Sequence, residues 1–429
     1  MPSFRATVHV LWQNRAFRQF WAASTVAMLG HQLSWVALAW FTLQQTNSSL
    51  AIGGLMGMYL VMSVVASPLA GYLFDRYARK RLLVVDHVAR GFLYALVPLL
   101  HWTDLLSYPL LVFLLSLAGL LAPLSTVGSQ SVLPNFVRAD QLEAANAFSQ
   151  LSWQLAVLVG PAVGGALTGL VGAPGTMLVN AALFVVPAVM LTAIPAKVFE
   201  GRQRERDCGR ADRVSFRDGL RFFLASPALV ALTLASLLFN FAYGPLEPAL
   251  PALVRDDLRA GPETLGLLWS ALGIGTIVGT ALWTRWPQRW EPAHTLGGVM
   301  VAWGIFTGAL FWADDPVSGM VLLFLAGLTV SPYNVVAVTL EQRLVPPHLR
   351  GRVFGLTTSL EQVGLPLGML VGGWLASTLG NRETLLLAGV VCAAVGAAVM
   401  MSPWLKGGWE KGERGADSRA AQAPRKGWA

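Results

Sequence analysis

The chain has 429 residues, of which 55% are hydrophobic and only 13% are charged. A composition this apolar excludes an ordinary soluble protein. The formal net charge is +8, but the basic residues fall in short segments between apolar runs. This distribution excludes a nucleic-acid-binding surface and favours loops that face lipid headgroups.

Apolar runs of membrane-spanning length recur along the chain and predict an all-α integral membrane protein. The runs indicate twelve transmembrane helices, six in each half of the chain. The predicted helices lie at roughly 19–43, 50–74, 82–100, 106–133, 145–171 and 175–194 in the first half, and at roughly 226–253, 263–284, 293–313, 317–341, 353–378 and 383–403 in the second half.

Two pseudo-symmetric bundles of six helices are what a transporter needs to rock about a site near the middle of the membrane. Gly164-Gly165 in the first half recur as Gly372-Gly373 in the second half. Most Lys and Arg residues lie in segments on one side, so both termini are expected in the cytoplasm, with the protein in the cell inner membrane. The predicted parts are an N-terminal bundle at 1–194, a cytoplasmic linker at 195–225, a C-terminal bundle at 226–403 and a disordered cytoplasmic tail at 404–429.

A charged segment, Gly71 to Arg81, separates the second and third predicted helices. Its basic residues hold the loop on the cytoplasmic side, and Gly71 lets a neighbouring helix approach closely. The spacing resembles the signature loop of the major facilitator superfamily of transporters, although Ala78 stands where that pattern usually has a second glycine. An ordinary positive-inside loop is the alternative. The resemblance implies a conformational switch, in which Asp75 docks against the opposite half, formed by Gly71, Asp75, Arg76, Arg79 and Lys80.

The fifth predicted helix contains the motif Gly160, Pro161, Gly164 and Gly165. Pro161 removes a helix hydrogen bond, and the glycines open a groove for close packing. The motif resembles the Gly-Pro motif of drug–proton antiporters, with Ala156 in place of a further glycine. The resemblance implies that these residues form a helix-packing surface that slides when the transporter changes state.

Four further segments are similar to one branch of the superfamily, the macrolide-efflux and enterobactin-exporter-like permeases. They are Gly30–Trp40, Asn47–Ser49, Ala144–Asn146 and Leu349–Val353. That branch commonly has an acidic residue where this chain has His31. The resemblance implies proton-coupled efflux of drugs or hydrophobic natural products, such as macrolides or siderophores. It further implies a monomer that needs no cofactor and whose partners are a small-molecule solute, protons and the lipid bilayer, with no nucleic acid.

Ionisable side chains inside a membrane are costly, so each is a candidate for function. Asp86 and Arg90 lie four residues apart on the third predicted helix, where they can neutralise each other, and we interpret this intramembrane pair as structural. His31, Glu247 and Glu361 are candidates for proton or substrate binding. The residues alone leave open whether these three are instead hydrogen-bonded or solvated groups of a cavity wall.

The family architecture would place polar and aromatic residues of the first, fourth, seventh and tenth helices around a central cavity. Such a mixed wall suits a bulky amphiphilic solute. Transport of a lysophospholipid or a metabolite by the same fold is an alternative. A membrane-embedded lipid enzyme is disfavoured, because the sequence shows neither a catalytic constellation nor metal-ligand spacing. The expected lining residues are Gln32, Trp35, Ser125, Gln130, Asn240, Tyr243, Tyr333, Asn334 and Thr339.

Overall fold

The computed structural model describes residues 12–200, 216–285, 291–346 and 349–405. Within these ranges the chain is almost entirely helical. A π-helical turn covers Leu253–Asp257, and short 3₁₀ turns cover Ala139–Gln141 and Ala309–Trp312. The α-helices are α1 (Arg15–Thr46), α2 (Ser49–Arg76), α3 (Arg79–Trp102), α4 (Tyr108–Phe136), α5 (Leu142–Thr192), α6 (Ala196–Glu200), α7 (Phe216–Ala225), α8 (Pro227–Tyr243), α9 (Leu246–Ala252), α10 (Pro262–Arg285), α11 (Pro292–Gly308), α12 (Pro316–Leu344), α13 (Arg350–Thr378) and α14 (Asn381–Met401).

Capping residues in the sequence set several helix ends. The side chain of Asn14 accepts a hydrogen bond from the Phe17 backbone N–H (3.1 Å) at the start of α1. Helix α1 ends at Asn47, which adopts a left-handed backbone conformation with φ of 49°, and the Ser48 side chain then caps α2. Asparagine tolerates that conformation and serine is a favoured N-cap. The chain therefore reverses direction between α1 and α2 within two residues.

Ten helical segments in the described residues are long and apolar enough to cross a membrane. One of them, α5, has 51 residues and is broken at Gly172, where φ is 75° and ψ is 163°. Only glycine adopts such a conformation without strain. When the two arms of α5 are counted separately and the 29-residue α13 is included, the chain has the twelve spans that the sequence predicts.

The two arms of α5 agree with the predicted helices 145–171 and 175–194, because the break at Gly172 falls in the gap between them. One predicted helix boundary was wrong. The predicted helix 226–253 is divided into α8 and α9, which meet at Gly244 and Pro245. The proline lacks the backbone N–H that a continuous helix would use.

The predicted linker contains α6 and α7, and residues 201–215 between them lie outside the described residues. Most of the predicted tail, from residue 406 onward, also lies outside the described residues.

Close backbone packing joins the first half (α1–α5) to the second half (α8–α14). Helix α2 lies against α13, where a Cβ atom on Gly373 would lie 2.7 Å from the carbonyl oxygen of Ser49. The first arm of α5 lies against α10, where a Cβ atom on Gly266 would collide with the carbonyl group of Pro161. We call the end of the molecule with the Asn47–Ser48 turn, where these contacts lie, the closed end.

The opposite end, which we call the open end, carries the turn between α2 and α3 as well as α6 and α7. Here a Cβ atom added to Gly71, Gly351 or Gly355 would have no atom within 4 Å. In the described part of the chain, the two halves are therefore packed together at the closed end, whereas these glycines of the open end face open space.

Candidate functional site

Three adjoining cavities run from the first half to the second half. The arginine cavity, of about 630 Å³, is lined by first-half residues that include Arg90. The carboxylate cavity, of about 270 Å³, is lined by second-half residues that include Glu341 and Glu361. The central cavity, of about 420 Å³, lies between them: it shares His31 with the arginine cavity and Tyr243 with the carboxylate cavity.

A buried ion pair lies at the wall of the arginine cavity. The Nη2 atom of Arg90 is 2.5 Å from Oδ2 of Asp86 and 2.5 Å from Oγ of Ser125, whose hydroxyl also donates to Asp86. The guanidinium carbon lies 4.6 Å from the centre of the Phe184 ring. Asp86 has no exposed surface and Arg90 is only 4% exposed. The pair predicted from the i, i+4 spacing is thus present and joins α3 to α4.

The central cavity contains a hydrogen bond between the two halves. The indole Nε1 of Trp35 on α1 donates to Oε2 of Glu247 on α9 at 2.7 Å. Glu247 is only 7% exposed. Beside it, the rings of His31, Trp35 and Tyr59 lie with centroids 5.9 to 6.1 Å apart. His31 and Trp35 line the central cavity, and Tyr59 lines the adjoining arginine cavity.

The carboxylate cavity has an aromatic and polar wall that is held by hydrogen bonds. The Ser236 hydroxyl lies 2.8 Å from the Tyr333 hydroxyl, and Asn240 Nδ2 donates to the backbone oxygen of Glu361 at 3.2 Å. The Thr357 hydroxyl donates to Glu341. Glu361, whose backbone oxygen accepts one of these bonds, contributes an acidic side chain to this wall.

All eight predicted proton- or substrate-binding residues line these cavities, and so do Trp35, Ser125 and Gln130. The prediction for Thr339 was wrong: its side chain is exposed and bonds to the Val335 carbonyl. Val338 and Glu341 of the same helix line the carboxylate cavity, and Thr339 follows Val338 by one residue, about 100° around the helix. The eight residues are His31, Gln32, Asn240, Tyr243, Glu247, Tyr333, Asn334 and Glu361.

The glycine motif of α5 faces two directions, and sliding of this surface stays a prediction. Cβ atoms on Gly160 and Gly164 would lie 2.6 Å from Gln32 Cβ and from the Leu33 carbonyl oxygen, both on α1 of the same half. Gly165 instead faces α10 of the other half. Of the three glycines, Gly165 alone packs at the interface between the halves.

The predicted switch loop lies at the open end. Lys80 Nζ donates to the carbonyl oxygens of Thr192 (2.8 Å) and Ile194 (2.6 Å), and Arg79 donates to that of Ser131 (3.4 Å). These bonds fix the start of α3 to its own half. Asp75 is exposed and has no ion pair among the described residues.

Among the ionisable side chains that line these cavities, the sequence interpretation missed three, Tyr59, His87 and Glu341. Glu341 was detectable, because it follows Asn334 by seven residues and so lies on the same helix face. Tyr59 and His87 carry no local pattern that distinguishes them from packing residues. In the part of the chain that the structure describes, no group of three His, Cys, Asp or Glu residues is placed to hold a metal ion.

Comparisons with known proteins agree with this arrangement. The profile of a family described as transmembrane secretion effector matches residues 7–414. The multidrug efflux pump Tap of Mycobacterium tuberculosis is 28% identical over 392 residues, which cover 90% of this chain and 92% of Tap. Macrolide efflux protein A of Streptococcus pyogenes is 21% identical over 88% of this chain and 94% of that protein. A bacterial homologue of the lysosomal transporter Spinster, solved in an inward-facing unoccupied conformation, has a TM-score of 0.72, 13% identity, and coverage of 96% of this chain and 99% of that chain.

Proposed function

The chain belongs to the transmembrane secretion effector family of the major facilitator superfamily, and we propose that it exports drugs or hydrophobic natural products in exchange for protons. It is a multi-pass membrane transporter. The names of its relatives, a multidrug efflux pump and a macrolide efflux protein, support export of bulky amphiphilic solutes.

The observation that carries the proposal is the row of cavities between two halves whose close backbone contacts, among the described residues, lie toward one end. Alternating access requires this geometry, because a site in such a row is exposed to one side of the membrane at a time. The excess of Lys and Arg in the segments of the open end supports a cytoplasmic position for that end and for both termini. The structure then corresponds to the state that collects solute from the cytoplasm of a bacterial cell.

Glu247 and Glu361 are the proposed proton carriers. A hydrogen bond to an ionised carboxylate is stronger than a bond to a neutral carboxyl group. Release of a proton from Glu247 therefore strengthens its bond with Trp35 and holds the closed end shut while the cavities face the cytoplasm. His31, which replaces the acidic residue of related transporters, lies beside that bond and is the third candidate.

The experiment is gradient-driven uptake of a labelled macrolide into inverted membrane vesicles. Uptake is expected to collapse with a protonophore and in Glu247→Gln and Glu361→Gln, while the macrolide still binds to the purified variants. His31→Asn tests the third candidate in parallel. Glu143→Gln is the matched control, because Glu143 is an exposed carboxylate of α5 that lines none of the three cavities. Undiminished uptake with the protonophore, or in both glutamate variants, would refute proton coupling through these residues.

A further inference from the structure

Several polar atoms buried in the wall of the arginine cavity lack a hydrogen bond to any described residue. Ten buried side-chain nitrogen and oxygen atoms in the described residues lack a hydrogen bond. Five of them belong to neighbours of this cavity: His31 Nδ1, Tyr59 Oη, Asp86 Oδ1, His87 Nδ1 and Arg90 Nε. Leaving a buried polar atom unpaired costs free energy, so such a cluster is expected where a ligand completes the hydrogen bonds.

The wall of this cavity is rich in hydrogen-bond donors and basic groups. Arg90, His31 and His87 line it, and none of its described lining residues is acidic. The carboxylate cavity has the opposite character: it contains Glu341 and Glu361, and its described lining includes no Lys, Arg or His. The two ends of the row of cavities therefore prefer groups of opposite charge.

We propose that the arginine cavity is a binding subsite for an anionic group, such as a carboxylate, that is attached to an apolar body. Arg90 is the cationic residue of this wall; its Nη2 is bonded to Asp86 and Ser125, whereas its buried Nε–H makes no hydrogen bond within the described part of the chain. His87 and Tyr59 supply further polar atoms at the same wall. Apolar lining residues, among them Trp21, Met28 and Trp153, accommodate the body. The cavity volume of about 630 Å³ is in the range of sites for drug-sized molecules.

Asp86 competes with the ligand for Arg90. In the structure its carboxylate neutralises the guanidinium, with Oδ2 2.5 Å from Nη2 of Arg90. An arriving anion shares that guanidinium, so the apparent affinity is lower than it would be for an unpaired arginine. This competition gives Asp86→Asn and Arg90→Gln effects of opposite sign on anion binding. If the ion pair were purely structural, the two variants would not have opposite effects on anion binding, because loss of either partner would only destabilise the fold.

The probes are three dansyl compounds of nearly equal size: anionic dansylglycine, neutral dansylglycinamide and cationic dansyl-ethylenediamine. Energy transfer from tryptophan reports binding to the purified full-length protein, since Trp21 and Trp153 line the cavity. We expect dansylglycine to bind at least about tenfold more tightly than the other two, the scale of one charge-assisted hydrogen bond. Arg90→Gln should remove this preference, and Asp86→Asn should strengthen dansylglycine binding severalfold.

Arg138→Gln is the control, because it also removes one positive charge from the first half, at an exposed residue that pairs with Asp140. The double variant Asp86→Asn/Arg90→Gln keeps polar groups of matching size in the protein interior, and it should bind all three probes alike. Its elution as a single species in detergent shows that the fold is retained. Equal binding of the three probes to the unmodified protein, or weaker dansylglycine binding in Asp86→Asn, would overturn the subsite.

This inference rests on the proposed export function, in which the cavities bind solute, but it is tested without transport. Loss of proton-driven macrolide uptake together with a persistent preference for dansylglycine would refute the proposed function and leave the subsite. Intact macrolide uptake without any preference for the anion would refute the subsite alone.

Discussion

The hydrogen bond between Trp35 and Glu247 is expected to set the balance between the two states of the transporter. Trp35→Phe retains an aromatic ring and removes the indole N–H that reaches Glu247 at 2.7 Å. The two residues belong to different halves, so the bond exists only while the closed end is shut. A hydrogen bond to a charged group contributes about 1.5–3 kcal/mol. Its loss should reduce the ratio of the described state to the oppositely open state by about 10- to 150-fold.

A buried cysteine at the closed end measures this shift. Ser49 is 6% exposed, so Ser49→Cys, in a chain whose Cys208 and Cys392 have been replaced, should react slowly with a maleimide in detergent. Adding Trp35→Phe should accelerate the reaction, because the cysteine is exposed for a larger fraction of the time.

The matched control is Trp269→Phe. Trp269 lines the same central cavity from α10, and no hydrogen bond of its indole is found in the described residues. Equal labelling rates in Trp35→Phe and Trp269→Phe would refute a role for the bond between the halves.

Three further variants test the two ends of the molecule, with Ser270→Cys in the interface of α5 and α10 as the reporter. Asp75→Asn should favour the described state by about 1–3 kcal/mol, because the variant loses a docked carboxylate that stabilises only the oppositely open state. It should slow both labelling and turnover, and unchanged rates would show that Asp75 is an ordinary loop residue. Gly373→Ala should accelerate labelling, because its Cβ atom would lie 2.7 Å from the Ser49 carbonyl oxygen and overpacking costs about 1–3 kcal/mol. Its control, Gly71→Ala, adds a Cβ atom in open space and should not accelerate labelling, so equal rates in the two variants would contradict this reasoning. Arg255→Gln removes hydrogen bonds to the Leu43 carbonyl (3.1 Å) and to Asn47 Oδ1 (2.8 Å). Because one of these partners is exposed, the variant should change the labelling rate less than Trp35→Phe does, and a larger change would show that the exposed contact dominates.

Much of the fold could be predicted from the sequence, because bilayer thickness requires long apolar helices and apolar runs are visible residue by residue. The twelve spans and the transporter family were predicted in this way and are confirmed. The break in α5 at Gly172 falls in the gap predicted between 171 and 175, whereas the break at Gly244 and Pro245 inside the predicted helix 226–253 was missed, because an apolar run does not show where a helix is interrupted.

The site was predictable as a set of residues but not as a set of contacts. Hydropathy identifies Glu247 as an unusual charge, but it does not reveal that Trp35, 212 residues away, donates to it. Helical phase separates Glu341 in the cavity from Thr339 outside it, and that phase is set only when α12 packs. The unpartnered atoms around Arg90 likewise become visible only once α1, α2 and α3 are brought together.

The internal repeat explains why the two ends of the molecule close by different interactions. In each half a glycine pair divides its contacts in the same way: Gly164 packs on α1 and Gly165 on α10, while Gly372 packs on Pro245 and Gly373 on α2. Each pair thus joins one helix of its own half to one helix of the other half, and at the closed end the repeat is preserved as backbone packing. At the open end the repeat is lost, because Arg285 occupies the position in the second half that corresponds to Asp75 in the first.

The second half instead offers the start of α13 at the open end, where α7 packs so closely that a Cβ atom on Gly219 would lie 3.1 Å from Arg352 Cβ. Packing of small residues needs no charge and is insensitive to the solution on either side, whereas a carboxylate at a helix N-terminus responds to salt and to neighbouring charge. At the closed end the backbone packing is accompanied by the hydrogen bond between Trp35 and Glu247, and at the open end docking of the Asp75 carboxylate is the contact that we expect on closure. We therefore expect the equilibrium between the states to respond more to loss of the Asp75 charge at the open end than to loss of the Arg255 charge at the closed end.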